Sequence, residues 1–140
     1  MMNKTIKGRK VYRGIAEGEA LVSEDPIAFC AGIDPNTGVI TERGHQLNGQ
    51  SMSGKILIFP SGKGSSAFSK AAYALWLAGK SPVACVINKI NPQTALSSIV
   101  MHTPTVTDLE IDPTKVIKTG DLVKVDGDRG IVEITKKNTN

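Results

Sequence analysis

The segment Lys55–Asn88 constrains the fold more than any other part of the chain, because it combines two apolar stretches with a turn and a helical pattern. Lys55–Phe59 is a continuous apolar run, which is typical of a strand buried on both faces. Apolar residues then recur at helical spacing over Ser66–Ala78, and Pro82–Asn88 is a second apolar run. Since a strand, a helix and a strand in this order form a parallel crossover, we expect a βαβ unit.

The predicted helix has apolar residues around most of its circumference. Tyr73, Trp76 and Leu77 lie outside the main apolar stripe, so even the second face is apolar. We therefore expect a buried helix, packed on the sheet or against a partner. Ser65 or Ser66 can cap its start.

The rest of the chain predicts short strands and few helices. Lys10–Tyr12 and Glu19–Val22 are predicted strands on either side of a Gly14–Gly18 turn. "QTALSSIVM" predicts a short helix and "TPTVTDL" a short strand. "LVKVDGDRGIVEI" alternates apolar and polar residues around a turn at Asp126–Gly130, which indicates a hairpin. The fold class is α/β, an open barrel or sandwich of short strands with one main buried helix.

Length and composition favour one domain. A chain of 140 residues with 40% hydrophobic content is long enough for one core and too short for two ordinary ones. We expect a single domain over residues 1–140, with polar tails at about 1–7 and 136–140.

Charge and cysteine content weigh against several classes of function. The net charge is +4, but the basic residues are scattered and aromatic residues make up only 4%, so nucleic-acid binding is not favoured. No apolar run approaches the ~18 residues of a membrane span, and a cytoplasmic protein is expected. Cys30 and Cys85 are far apart in sequence, so this chain's thiols cannot form a zinc or iron–sulfur site.

The turn Ser61–Ser66 does not match the phosphate-binding loop of nucleoside triphosphatases. That loop needs G-x-x-x-x-G-K-[ST], whereas here Leu57 occupies the first glycine position and Gly64 the hydroxyl position. Residues 62–67 do match the dinucleotide pattern G-x-G-x-x-A. However, the next strand ends in Asn88-Lys89 rather than in an acidic residue, so the match is weak.

The physical chemistry of the turn still favours an anion. A helix N-terminus has unpaired N–H groups and a partial positive charge, and Lys63 adds a full charge. The same groups would stabilise an alkoxide on Ser65. The alternative is that Ser65 and Ser66 only cap the helix.

Several spaced segments resemble one known family. "GIAEGEALVSEDPIAFCAGIDPNTG", "SMSGKILIFPSGKGSS" and "KTGDLVKV", together with their order from about Gly8 to Ile134, resemble the small, swivel-domain subunit of the aconitase X hydro-lyases. The resemblance implies a swivelling β/β/α fold. It also implies a heterodimer with a large subunit that carries an iron–sulfur cluster, so this chain alone would bind no cofactor.

The resemblance also implies roles for the turn. Ser65 follows Gly62-Lys63-Gly64 and is similar to the family's proton acceptor. The implied reaction is a dehydration, in which Ser65 removes a proton beside a carboxylate while the partner's cluster iron acts on the leaving hydroxyl. From the helix-terminus argument, we expect Lys63 and the backbone of Gly64 and Ser66 to bind the anionic end of a small hydroxy acid.

The resemblance leaves several functions open. Archaeal members of the family are expected to act on (R)-5-phosphomevalonate, and "CVINKINPQT" and "IVMHTPTV" are closer to that type. Many bacterial members are expected to act on cis-3-hydroxy-L-proline. "GSSAFS" differs from the usual turn of both types, so another hydroxy acid is a further alternative. Two alternatives lie outside catalysis: a phosphate- or nucleotide-binding module, and a subunit that only closes another protein's site.

Overall fold

A computed structural model describes residues 2–64 and 67–136 of the chain. Most of the regular secondary structure in the described residues is strand, with ten strands and three helices. In chain order the elements are β1 (Met2–Lys7), β2 (Arg9–Tyr12), β3 (Ile15–Val22), β4 (Ile33–Asp34), β5 (Val39–Ile40), β6 (Ile56–Phe59), α1 (Phe68–Leu77), β7 (Ala84–Ile87), α2 (Pro92–Val100), β8 (Thr105–Thr107), α3 (Pro113–Val116), β9 (Leu122–Asp126) and β10 (Ile131–Lys136).

Eight strands form one sheet in the order β1-β10-β9-β3-β6-β7-β8-β2. The four strands β3, β6, β7 and β8 are parallel to one another, whereas the flanking strands pair antiparallel. The predicted parallel crossover is therefore confirmed as β6-α1-β7. It occupies the middle of the sheet.

Two hydrophobic cores lie on the two faces of this sheet. In β6, Leu57 and Phe59 belong to the core beneath α1, while Ile56 and Ile58 belong to the core on the other face. All four side chains are at most 1% exposed, as expected for a strand buried on both faces. β9 also contacts β7 and β8, which are not its neighbours in the sheet. The sheet thus curves around the second core, in agreement with the predicted open barrel.

The prediction of a polar tail at residues 1–7 is wrong. Met2–Lys7 forms β1, which pairs antiparallel with β10 along its whole length. Strand pairing uses backbone groups and needs few apolar side chains, and Ile6 supplies one that is fully buried. At the other end, Lys136 is the last residue of β10 and contacts the carboxylate of Asp121 at 2.7 Å. Residues 137–140 lie outside the described residues.

The predicted turn at Gly14–Gly18 is also wrong, because β3 begins at Ile15 and continues through Gly18. β3 pairs with β9 and β6 rather than with β2. A methyl group at Gly18 would have only ordinary contacts, the nearest at 3.6 Å. Nothing at Gly18 therefore requires the chain to turn.

α1 is buried on one face only. Phe68, Ala72 and Leu75 point into the core, and the ring of Phe68 stacks on Phe29 at 4.4 Å. On the opposite face, three large side chains are exposed: Tyr73 by 46%, Trp76 by 36% and Leu77 by 63%. The expected helix therefore packs with one face on the rest of the domain, while its second apolar face is exposed.

α1 begins after Ala67, its N-cap. Ser65 and Ser66, which the sequence predicts as caps, lie outside the described residues, so a serine cap stays a prediction. Within the described ranges, no helix has the length and apolar content needed to cross a membrane.

Candidate functional site

The glycine turn, Ser61–Ser66, follows the carboxyl end of β6 in the middle of the sheet. Ser61–Gly64 are its described residues. Backbone hydrogen bonds hold it on both sides. The N–H of Ile27 donates to Ser61 O at 3.1 Å, and the N–H of Lys63 donates to Ile27 O at 3.0 Å. On the other side, the N–H of Lys89 donates to Pro60 O at 2.9 Å. In parallel sheets, ligands bind outside the carboxyl ends of the strands, which is where this turn lies.

Gly62 is required because two helices pack against it. A Cβ at this position would lie 2.4 Å from Cγ2 of Thr94 and 3.0 Å from Cε2 of Phe68. Gly64 is required for another reason. Its φ of +107° is unfavourable for residues with a side chain. Among the described residues, the nearest atom to a Cβ built at Gly64 is Ala28 Cβ, at an ordinary contact distance of 3.8 Å.

Asn91 joins the turn to the second helix. Its Oδ1 accepts the N–H of Thr94 at 2.9 Å, and its own N–H donates to Thr94 Oγ1 at 3.0 Å, which together form the capping box of α2. Its Nδ2 donates to Gly62 O at 3.1 Å. The N-terminus of α2 is thereby held next to the turn. Asn91 was not among the predicted site residues, although Asn-Pro before a helical pattern is a recognisable cap signal.

Lys63 is paired with an acidic residue from a distant part of the chain. Its Nζ lies 2.7 Å from Oε2 of Glu42, and the two side chains are 45% and 28% exposed. The positive charge that the sequence analysis expected at Lys63 therefore lies next to a carboxylate. Sequence reasoning missed Glu42, which belongs to a loop without regular structure.

His45 fixes the loop that carries Glu42. The imidazole is only 6% exposed. Its Nδ1 accepts the N–H of Leu47 at 3.0 Å, and its Nε2 contacts the carbonyl oxygen of Pro26 at 2.9 Å. Because Nδ1 is an acceptor, Nε2 carries the proton and donates to Pro26. His45 thus links this loop to the segment that pairs with the glycine turn.

A small cavity lies at the turn. Its volume is about 40 Å³, far below the ~300 Å³ or more of typical ligand pockets. It is lined by Gly62, Lys63, Gly64, Phe68, Asn91 and Gln93. A larger depression of about 500 Å³ lies elsewhere, along Lys10–Arg13 and Gly127–Asp128, but it is wide open and contains none of the turn residues. At this turn the described residues form a small cavity rather than a ligand-sized pocket.

The described residues do not fit an iron–sulfur cluster. Residues 2–64 and 67–136 contain no group of three His, Cys, Asp or Glu side chains that could hold a metal. Burial raises the pKa of the Cys85 thiol from 9.0 to about 12, which disfavours the thiolate that binds iron. Cys30 is half-buried and makes no disulfide with Cys85.

Comparison with known proteins identifies the family. The model of the aconitase X swivel domain matches residues 5–134. The chain belongs to the aconitase X swivel-domain family. The resemblance seen in the sequence is thereby confirmed.

Relatives of the swivel domain agree in sequence and fold. The phosphomevalonate dehydratase small subunit of Methanosarcina acetivorans is 44% identical over 131 residues, covering 94% of this chain and 91% of that protein. The small subunit of the same name from Methanocella arvoryzae is 45% identical over 130 residues, covering 93% and 98%. The crystal structure of Thermococcus kodakaraensis aconitase X in its holo-form superposes with a TM-score of 0.90 at 41% identity, covering 95% of this chain and 99% of that one.

These comparisons confirm the predicted α/β swivel fold, which is mostly sheet with few helices. The names of the relatives agree with the phosphomevalonate alternative from the sequence. They do not favour cis-3-hydroxy-L-proline, another hydroxy acid or a nucleotide-binding module.

Proposed function

We propose that this swivel domain is the small subunit of a phosphomevalonate dehydratase, a hydro-lyase that is active only with a large subunit. The observation that carries the proposal is identity above 40% over more than nine-tenths of this chain to relatives of that name. Fold similarity across almost the whole chain to aconitase X also supports it. The substrate is (R)-5-phosphomevalonate, and the whole chain acts as one domain in the cytoplasm.

The small cavity supports the need for a partner. A volume of about 40 Å³ cannot enclose a phosphorylated hydroxy acid, since ligand pockets usually bury most of the ligand surface. A large subunit that covers the glycine turn would complete the pocket. The proposal assigns the iron–sulfur cluster to that large subunit, since this chain is similar to relatives named as small subunits.

Ser65 is the proposed general base. It lies outside the described residues, and its position in the chain supports the role: it follows Gly64 and precedes the N-cap Ala67 of α1 by two residues. The partial positive charge of a helix N-terminus and the ammonium of Lys63 favour a negatively charged oxygen. Such an oxygen can accept a proton from carbon.

The reaction is the loss of water across two adjacent carbons. Ser65 takes the proton from the carbon beside the substrate carboxylate, and that electron pair forms the double bond. The hydroxyl leaves the next carbon with its bonding electrons and takes up a proton from solvent to become water. Ser65 later returns the proton it gained to solvent, so that the net loss is one water. Lys63 and the backbone of Gly64 and Ser66 bind the anionic group of the substrate, so that the C–H bond is held against Ser65.

Reconstitution with an aconitase X large subunit tests this function. The complex should convert (R)-5-phosphomevalonate to an α,β-unsaturated phosphorylated acid, followed by ³¹P and ¹H NMR. cis-3-Hydroxy-L-proline serves as the comparison substrate and should be converted poorly. Turnover of the hydroxyproline alone would contradict the proposed substrate. Binding of phosphate or a nucleotide by the isolated chain, without turnover in the complex, would favour the binding-module alternative.

A further inference from the structure

Glu42 lies outside the glycine turn but forms an ion pair with Lys63 of the turn. We propose that Glu42 is a positioning residue, which holds the Lys63 ammonium where it meets the anionic group of the substrate. This inference rests on the proposed function, in which Lys63 binds that group. The contact that carries it is the 2.7 Å distance between Lys63 Nζ and Glu42 Oε2.

Hydrogen bonds hold the backbone around Glu42, so the point from which its side chain extends is fixed. The carbonyl oxygen of Glu42 accepts the N–H of His45 at 3.3 Å and Nδ2 of Asn48 at 2.9 Å. His45 in turn donates to Pro26. A carboxylate on such a loop can restrain a long and otherwise mobile lysine side chain.

The segment beside Pro26 connects this loop to the turn. The N–H of Gln46 donates to Asp25 Oδ2 at 2.9 Å, and the neighbouring Ile27 pairs with Ser61 and Lys63 through its backbone. The backbone segments that carry Lys63 and Glu42 are therefore both hydrogen-bonded to residues 25–27. The position of the carboxylate relative to the turn is set by folding, before any ligand binds.

The ion pair with Glu42 leaves hydrogen-bond donors of the Lys63 ammonium available for the substrate. An ammonium group has three donors, and Glu42 accepts one of them through Oε2. The remaining donors can reach a substrate oxygen. Ordering the lysine in advance removes part of the entropy loss from the binding step, because that loss has already occurred on folding.

A Glu42 that competes with the substrate for Lys63 and a Glu42 that positions Lys63 predict opposite changes in KM. If Glu42 competed with the substrate for Lys63, then its removal would expose the ammonium and lower KM. If Glu42 positions Lys63, its removal frees the side chain and raises KM. The sign of the change in KM therefore distinguishes the two roles.

The test uses the complete complex of small and large subunits. Glu42→Ala should raise KM by about two- to tenfold, the range expected when one long side chain must be ordered on binding, with little change in kcat. Glu42→Gln keeps an oxygen that can accept from Lys63 and should give an intermediate KM. Lys63→Met should raise KM further, and adding Glu42→Ala to it should change KM no more.

The Lys55–Glu19 pair is the matched control. It joins the same two residue types at 3.3 Å but lies at the start of β6, away from the turn at its end. Glu19→Ala and Glu19→Gln should leave KM and kcat unchanged. If they raise KM as much as the Glu42 variants do, the effect is a general one of surface charge and the inference is overturned.

Binding measured without turnover separates this inference from the proposed function. Calorimetric titration of the Ser65→Ala complex with (R)-5-phosphomevalonate gives Kd directly, and Glu42→Ala in that background should raise Kd by the same factor as KM. An unchanged or lower Kd overturns the role of Glu42, whatever the activity of the Ser65 variant. An equal effect of Glu42→Ala with and without Lys63 also overturns it, because Glu42 would then act by another route.

Discussion

At the scale of single residues, the packing of the two helices against the turn requires a residue without a side chain at Gly62. We expect Gly62→Ala to reduce stability by about 1–3 kcal/mol, the usual effect of overpacking a filled site, because its Cβ would clash with Thr94 and Phe68. Gly18→Ala is the control, since its Cβ would have only ordinary contacts. Chemical denaturation of both variants measures the difference. Equal stability of the two variants would contradict this packing.

The sequence was sufficient to find the residues of the turn but not their distant partners. Lys63 and Gly64 stand out because a short glycine motif between a strand and a helix is a local signal. Glu42 and Asn91 meet the turn across 21 and 29 residues of sequence, and no local pattern encodes such contacts. The roles of Ser65 and Ser66 remain predictions.

At the scale of secondary-structure elements, Asn91 couples the start of α2 to the turn. Asn91→Ala should lower the free energy of unfolding by about 1–2 kcal/mol through loss of the cap, with a further small loss from the broken bond to Gly62. Asn91→Asp keeps a cap oxygen for the Thr94 N–H, so it should be more stable than the alanine variant. Urea denaturation measures both, and equal losses would show that the cap is not the main contribution.

Elements with a strong periodic or turn signal were predicted well. The β6-α1-β7 crossover, α2, β8 and the β9–β10 hairpin all agree with the sequence. β1 was missed because its polar side chains give no alternating pattern, although its backbone pairs fully with β10. The exposed face of α1 was not foreseen because periodicity reports which residues are apolar and not what covers them.

At the scale of the whole molecule, Cys85 reports on cooperative unfolding. The thiol is 2% exposed, and burial raises its pKa to about 12, so at pH 8 the folded protein holds it as an unreactive thiol. We expect iodoacetamide to modify Cys30 in the native protein and Cys85 only in denaturant. Peptide mass spectrometry identifies the modified site, and rapid native modification of Cys85 would contradict its burial.

The same burial makes stability depend on alkaline pH. The folded state keeps the Cys85 proton up to about pH 12, whereas the unfolded state loses it near the ordinary pKa of 9.0. The unfolded state therefore binds fewer protons between these values, and the free energy of unfolding should fall as pH rises above 9. Cys85→Ala should show a weaker decline over this range in thermal unfolding at stepwise pH. An identical decline in both proteins would exclude Cys85 as its source.

In the proposed function, this swivel domain forms half of an active site that it shares with a large subunit, and Ser65 supplies the base. The most direct test is turnover of (R)-5-phosphomevalonate by the reconstituted complex with Ser65→Ala, alongside Ser69→Ala, which removes a hydroxyl from the first turn of the same helix. Size-exclusion chromatography confirms that each complex assembles. We predict that Ser65→Ala lowers kcat by at least about a hundredfold, as for loss of a general base, while Ser69→Ala remains active. Near-normal turnover by an assembled Ser65→Ala complex would contradict the assignment of Ser65 as the base.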